Sequence, residues 1–243
     1  MTWGTFGAVH ISTLVLSAAI IAGLYFFLRN RSDKVQTAVM GILSLSGIAA
    51  MIFNLVAWGS PLEYLPFHLC SLTALVLPFA VITKSKIANN LLLLWALGAA
   101  LALVVNTAQA DFNVFSWTFF FYFVPHTLEF GLVILMFALK RAELDVRCIL
   151  STILITFTVY TAVHCINLAV NAYCVRENIL NPDGLLVRVN YMYSLVPENP
   201  VLEMLYTKPY FYMFNTIPLI VVYLGVIYAP QIVHLVRRKK KLA

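Results

Sequence analysis

The sequence predicts an all-α polytopic membrane protein: one bundle of seven transmembrane helices, N-terminus outside and C-terminus cytoplasmic. Three observations predict it. Of the 243 residues, 62% are hydrophobic and 11% charged, whereas soluble domains keep about a quarter charged. Apolar runs of about 20 residues, each able to cross a hydrocarbon core as a helix, follow one another with no room for a soluble domain between them. The Lys and Arg residues also gather in every second connection, the pattern that sets membrane orientation.

The predicted helices cover about 7–28, 37–58, 64–83, 88–106, 117–139, 148–173 and 210–235. The first ends in Arg29, Arg31 and Lys34 and has no basic stretch before it, so it reads as an anchor and not as a cleaved signal. The third ends in Lys84 and Lys86, the fifth in Lys140, Arg141 and Arg147, and the seventh in the run Arg237–Lys241. These inside segments hold 13 of the 16 Lys and Arg; Arg176, Arg188 and Lys208 fall outside. The net charge of +6 therefore reads as anchoring charge facing anionic lipid headgroups, with no nucleic acid implied.

The connection 174–209 is the long one. It carries the turn signal Asn181-Pro182-Asp183-Gly184, then a stretch rich in Tyr, Met and Leu. Such a segment either forms an aromatic belt at the headgroup level or dips back into the bundle. Of the four cysteines, Cys148 lies at the inner end of its helix, where a disulfide is not expected. Cys70 and Cys174 both lie towards the outside and are the pair a bridge could join.

Ionisable groups inside membrane helices are costly and point to function. His68 and Cys70 lie in the first two turns of the helix 64–83, which enters from outside. His126 lies about nine residues, or roughly 13 Å, into the helix 117–139, and His164 a similar distance from the outer end of 148–173. Three histidines and a cysteine from three helices thus share the outer half of the membrane, at levels set by Lys and Arg alone. Glu129 follows His126 by three residues, on the same helix face. Thr161, His164, Asn167 and Asn171 form one polar stripe. This set reads as the lining of a cavity; the alternative is polar glue between helices. His10 and His234 fall near the two membrane faces and read as interfacial.

Pro66 suits the first turn of its helix. Cys70 then stands near a helix N-terminus, where the dipole favours a reactive thiolate. With histidines as base, this fits nucleophilic catalysis; the alternative is a packed small hydrophobe. Residues two apart point about 200° from each other, so His68 and Cys70 face one site only where the helix entry is irregular. A tetrahedral metal site of His68, Cys70, His126 and His164 is a further alternative.

The segments LPFHLCSL (65–72), WALGAAL (95–101), TFFFYFVPHTLEFGLVIL (118–135) and NYMY (190–193) occur in the order found in YwaF-like bacterial integral membrane proteins. That family is related to the eukaryotic transmembrane protein 164, a phospholipid acyltransferase. The chain resembles it from the third helix onward, and LPFHLC is the most specific part. Family members often carry Asp after the cysteine, where this chain has Ser71. The resemblance implies a Cys–His pair handling an acyl group, carried onto Cys70 and His126.

The expected function is a cell-membrane acyltransferase or transacylase working on phospholipid or other lipid acyl chains at the outer leaflet, without a cofactor. Cys70, His126, His164 and His68 are the catalytic candidates. Glu129, Asn167, Asn171, Asn190 and Tyr191 are the substrate-binding candidates, with Asn167 or Asn190 expected to hold the oxyanion. The alternatives are a binding or transport protein with a polar cavity, and a His-ligated metal-dependent lipid hydrolase. The sequence does not specify the oligomeric state.

Overall fold

The computed structural model describes residues 1–105, 109–198 and 200–242, with the side chains of 236 and 238–242 excluded. Among the described residues the α-helices are α1 (Ala8–Leu28), α2 (Asp33–Ser44), α3 (Ser46–Ala57), α4 (Leu69–Thr83), α5 (Lys86–Val104), α6 (Trp117–Ala138), α7 (Cys148–Arg176), the single turn α8 (Pro200–Glu203) and α9 (Ile217–Leu242). Among the described residues the only β pairing is two isolated bridges, Thr2 with Asn113 and Leu180 with Leu186. Among the described residues, six helices are long and apolar enough to cross a membrane, counting α2 and α3 as one and starting the last at Phe211. The protein is a multi-pass membrane protein.

The third expected span, 64–83, is shorter than predicted and is not among the six. Residues 64–68 are not helical, and α4 keeps 15 residues. That is roughly 22 Å of helix, against about 30 Å of hydrocarbon. His68 is extended (φ −74°, ψ 154°) and stands before the first helical residue. The residue before a proline is driven out of the helical region, so Pro66 straightens the approach. Two other boundaries follow from side chains. The Ser44 hydroxyl donates to the Gly41 carbonyl at 2.7 Å, and Leu45 N–H turns back to Ile42, which separates α2 from α3. Ser116 caps α6 by accepting from Phe119 N–H at 3.1 Å.

The connections sort to two ends. Arg141 is buried and donates to the Asp33 carboxylate (2.6 Å) and the Thr37 hydroxyl (2.6 Å), while Lys84 holds the same carboxylate at 2.6 Å. Gln231 of α9 donates to Leu144 O at 2.7 Å. The basic connections 29–32, 84–85 and 139–147 thus meet at one end. At the other end, Trp3 N–H donates to Phe112 O (2.8 Å), and Pro182 packs beside Gly59. The main apolar core lies towards the basic end, where Leu28, Met40, Leu77, Leu92, Leu132 and Met136 pack together from α1, α2, α4, α5 and α6. A second cluster joins α7 to the long loop through Tyr160, Val163, Val187, Val189 and Tyr191. The loop dips into the bundle, the second of the two expectations for it. His10 is fully buried, not interfacial: its Nδ1 accepts from Phe6 N–H (2.8 Å), so its Nε2 donates to Leu103 O (2.7 Å).

Candidate active site

Cys70 is the second residue of α4, partly buried, and near the N–H and hydroxyl of Ser71. The backbone donors at a helix start have no partner one turn earlier, so they face the thiol's surroundings with positive polarity. His68 lies outside the helix on extended backbone, which is the irregular entry that the spacing required.

His126 comes from α6. Its Nδ1 lies 2.7 Å from the carbonyl of Tyr122, one turn earlier. A carbonyl only accepts, so Nδ1 carries the proton and Nε2 keeps its lone pair. The Tyr122 ring lies 4.3 Å from the imidazole, and its hydroxyl donates to Ala102 O at 3.0 Å, which fixes the pair against α5. Glu129, one turn deeper on α6, is within electrostatic reach of both His126 and Cys70. Tyr122 and Tyr193 are within the same reach of Cys70. His68 meets the rings of Tyr191 and Tyr193 at 5.5 and 5.6 Å. Cys70, His126, Glu129 and, through Tyr193, His68 therefore form one constellation between α4, α6 and the loop.

His164 lies on the other side of that loop. Its Nδ1 is 3.0 Å from the Ser194 hydroxyl, and its ring packs on Tyr210 at 4.9 Å. Thr161 bonds the Phe157 carbonyl of its own helix and the Tyr210 hydroxyl, and the two asparagines of the α7 stripe hold the loop. Asn167, fully buried, donates to Tyr191 O and to Ser194 Oγ, both at 2.8 Å, and accepts from Tyr191 N–H at 2.9 Å. Asn171 exchanges two bonds with Val189, at 2.9 and 2.8 Å. Asn190 donates to Val196 O (2.8 Å) and to the Glu198 carboxylate (2.6 Å). Both amide protons of Asn167 and of Asn190 are thus committed, and neither residue has a free donor for an oxyanion. Tyr191 is fully buried, with its hydroxyl donating to Leu62 O. These bonds hold Met192 and Tyr193 at φ of 52° and 54°. Bulky residues avoid that region unless their surroundings over-determine it.

A cleft of about 470 Å³ reaches the constellation only at His68; Cys70, His126, Glu129 and His164 do not line it, so the single cavity expected for the histidines and the cysteine is not this one. His68 lines it, with Trp58 and Tyr64 stacked at 5.8 Å and with Glu63, Asp183, Arg188 and Glu198. Burial, and then the adjacent Glu63 charge, push the Tyr64 phenol above its ordinary value. All four cysteines are free, so Cys70 and Cys174 are not bridged. Among the described residues, no three His, Cys, Asp or Glu side chains are grouped to hold a metal ion.

Sequence spacing left several neighbours unmarked. Tyr122 stands four before His126 and was readable from helical period alone. Tyr193 belongs to the segment NYMY but carried no role there, and Ser194, Trp58 and Tyr64 arrive from distant segments that no local pattern announces.

No curated protein and no solved structure matches the chain. A family model does match, over residues 5–228, and it covers α1 to α7, the loop and half of α9. The chain belongs to the TMEM164 family.

Proposed function

We propose that the protein is a membrane acyltransferase that moves acyl chains between lipids through a thioester on Cys70. Family membership is consistent with this class. The reading is supported by a thiol at a helix start and a histidine whose Nδ1–H is engaged by a carbonyl, both within electrostatic reach of the same carboxyl, that of Glu129. Only Nε2 of His126 is then free to exchange a proton. Within the family, the resemblance of LPFHLCSL is the ground for reading the chain as a YwaF-like bacterial member.

Loading takes the thiol proton of Cys70 to Nε2 of His126. The sulfur attacks the ester carbonyl of the donor lipid, the carbon–oxygen bond breaks, and His126 returns the proton to the departing oxygen. Discharge reverses the order: the acceptor hydroxyl gives its proton to His126, its oxygen attacks the thioester, and the Cys70 sulfur leaves and is reprotonated. His68 borders the polar cleft and serves the headgroup side of the site. His164 and the two asparagines act on the loop that carries Tyr193 towards Cys70. The basic ends face the cytoplasm by the charge rule, which puts the cleft at the outer leaflet of the cell membrane.

The reading is tested with purified protein in vesicles that contain a phospholipid with a labelled acyl chain and an unlabelled lysophospholipid. Label should move to the lysophospholipid, not move with Cys70→Ala, and move unchanged in a chelator. Transfer by Cys70→Ala, or transfer abolished by the chelator, would contradict it.

A further inference from the structure

We propose that Glu129 is a catalytic residue of this transfer: its carboxylic acid donates a hydrogen bond to the acyl carbonyl oxygen as that oxygen becomes an oxyanion. This rests on the Cys70 thioester reading.

Glu129 is 3% exposed, and its Oε2 has no hydrogen-bond partner among the described residues. Nearly all buried polar atoms are paired, so an unpaired carboxyl oxygen calls for a partner that arrives with the reaction. The five ion pairs found among the described residues leave Glu129 out. A buried carboxylate without a cation is very costly, so the side chain is carried as the uncharged acid. In that form it is a donor. It also avoids the repulsion that a carboxylate would exert on the forming Cys70 thiolate.

The carboxyl has a built place. A Cβ at Gly47 would lie 2.8 Å from Glu129 Oε1 and 2.4 Å from Ala74 Cβ. The missing side chain lets α3 close over the carboxyl while leaving it room. Ala74 is one turn along α4 from Cys70, and Glu129 is one turn along α6 from His126. The acid therefore lies about one helical turn deeper than the reacting sulfur and its base, within electrostatic reach of both. The two asparagines expected for the role are excluded by valence, because their amides have no proton left to give, and the backbone N–H groups at the α4 start are the donors Glu129 would act beside. The hydrogen bond strengthens as charge develops on the oxygen, and no proton leaves Glu129. The atom balance of both half-reactions is unchanged.

The test compares Glu129→Leu, Glu129→Gln and Cys70→Ala in the vesicle transfer assay, with a thermal melt of each protein. Glu129→Leu should lower kcat by about 10²–10³-fold with KM unchanged, and should melt no lower than wild type, because it removes an unpaired buried polar group. Glu129→Gln keeps a donor and should hold kcat within about tenfold of wild type. Glu129→Met is read in the same way if the leucine variant fails to fold. Wild-type kcat in the apolar variants, with Cys70→Ala inactive, would overturn the Glu129 assignment alone. So would equal impairment of the Gln and Leu variants with a matching loss of stability, which marks a structural role. An active Cys70→Ala would overturn the thioester reading itself.

Discussion

Gly47 controls how closely α3 meets α4 and α6, and Gly47→Ala should be costly out of proportion to one methyl group. The added Cβ would lie 2.4 Å from Ala74 Cβ and 3.4 Å from Ala74 Cα. Ordinary contact between such carbons is about 3.5–4 Å, so the helices must part by roughly 1 Å. Overpacking of this kind costs about 1–3 kcal/mol. The upper half of that range applies, because the neighbour is a Cβ fixed to its helix and not the end of a flexible chain. Ala74→Gly removes the nearest atom, at a helix-propensity cost of about 1 kcal/mol. The double variant should therefore be more stable than the sum of the two singles by about 1–2 kcal/mol. Reversible unfolding in mixed micelles, followed by tryptophan fluorescence, measures all four proteins. A Gly47→Ala protein within about 0.5 kcal/mol of wild type, or strict additivity with Ala74→Gly, would refute the reasoning.

Asn167→Ala removes three buried hydrogen bonds, leaves Tyr191 N–H unpaired and leaves its C=O only the longer bond from Ser194 N–H at 3.4 Å. At about 1 kcal/mol for each bond, it should cost roughly 3 kcal/mol in the same unfolding assay and loosen Tyr193 beside the site; an unchanged melt would sink the clamp. Sidedness is checked with single cysteines in a Cys-free background. A cysteine at Asp183 should react with an impermeant reagent from outside, and one at Lys240 only after the membrane is opened; the opposite labelling would reverse the orientation.

The amphipathic and charge patterns carried much of this structure. Helix α6 begins where it was expected, at residue 117, because Ser116 and the aromatic run after it act locally. The basic connections meet at one end, as their alternation along the chain implied, since the Arg141–Asp33–Lys84 contacts need those loops adjacent. The start of α4 was misplaced by five residues because apolar character continues through 64–68 while Pro66 breaks the backbone. The stripe on α7 was visible, but its purpose was not. Asn167 and Asn171 bond backbone groups 18–24 residues away, in a loop with no regular period. The same stripe would line a cavity if that loop lay elsewhere. The approach of Cys70 and His126 to Glu129 depends on the packing of α4 against α6, which no spacing along the chain records.

The central claim is that Cys70 carries the acyl group, and intact-protein mass spectrometry tests it most directly. Protein from vesicles that contain donor lipid but no lysophospholipid acceptor should gain the mass of one acyl chain, and hydroxylamine should release it. Cys70→Ala should gain none, and His126→Ala should load far more slowly. An acyl adduct on the Cys70→Ala protein, or transfer by wild type with no adduct at residue 70 under these conditions, would contradict the account.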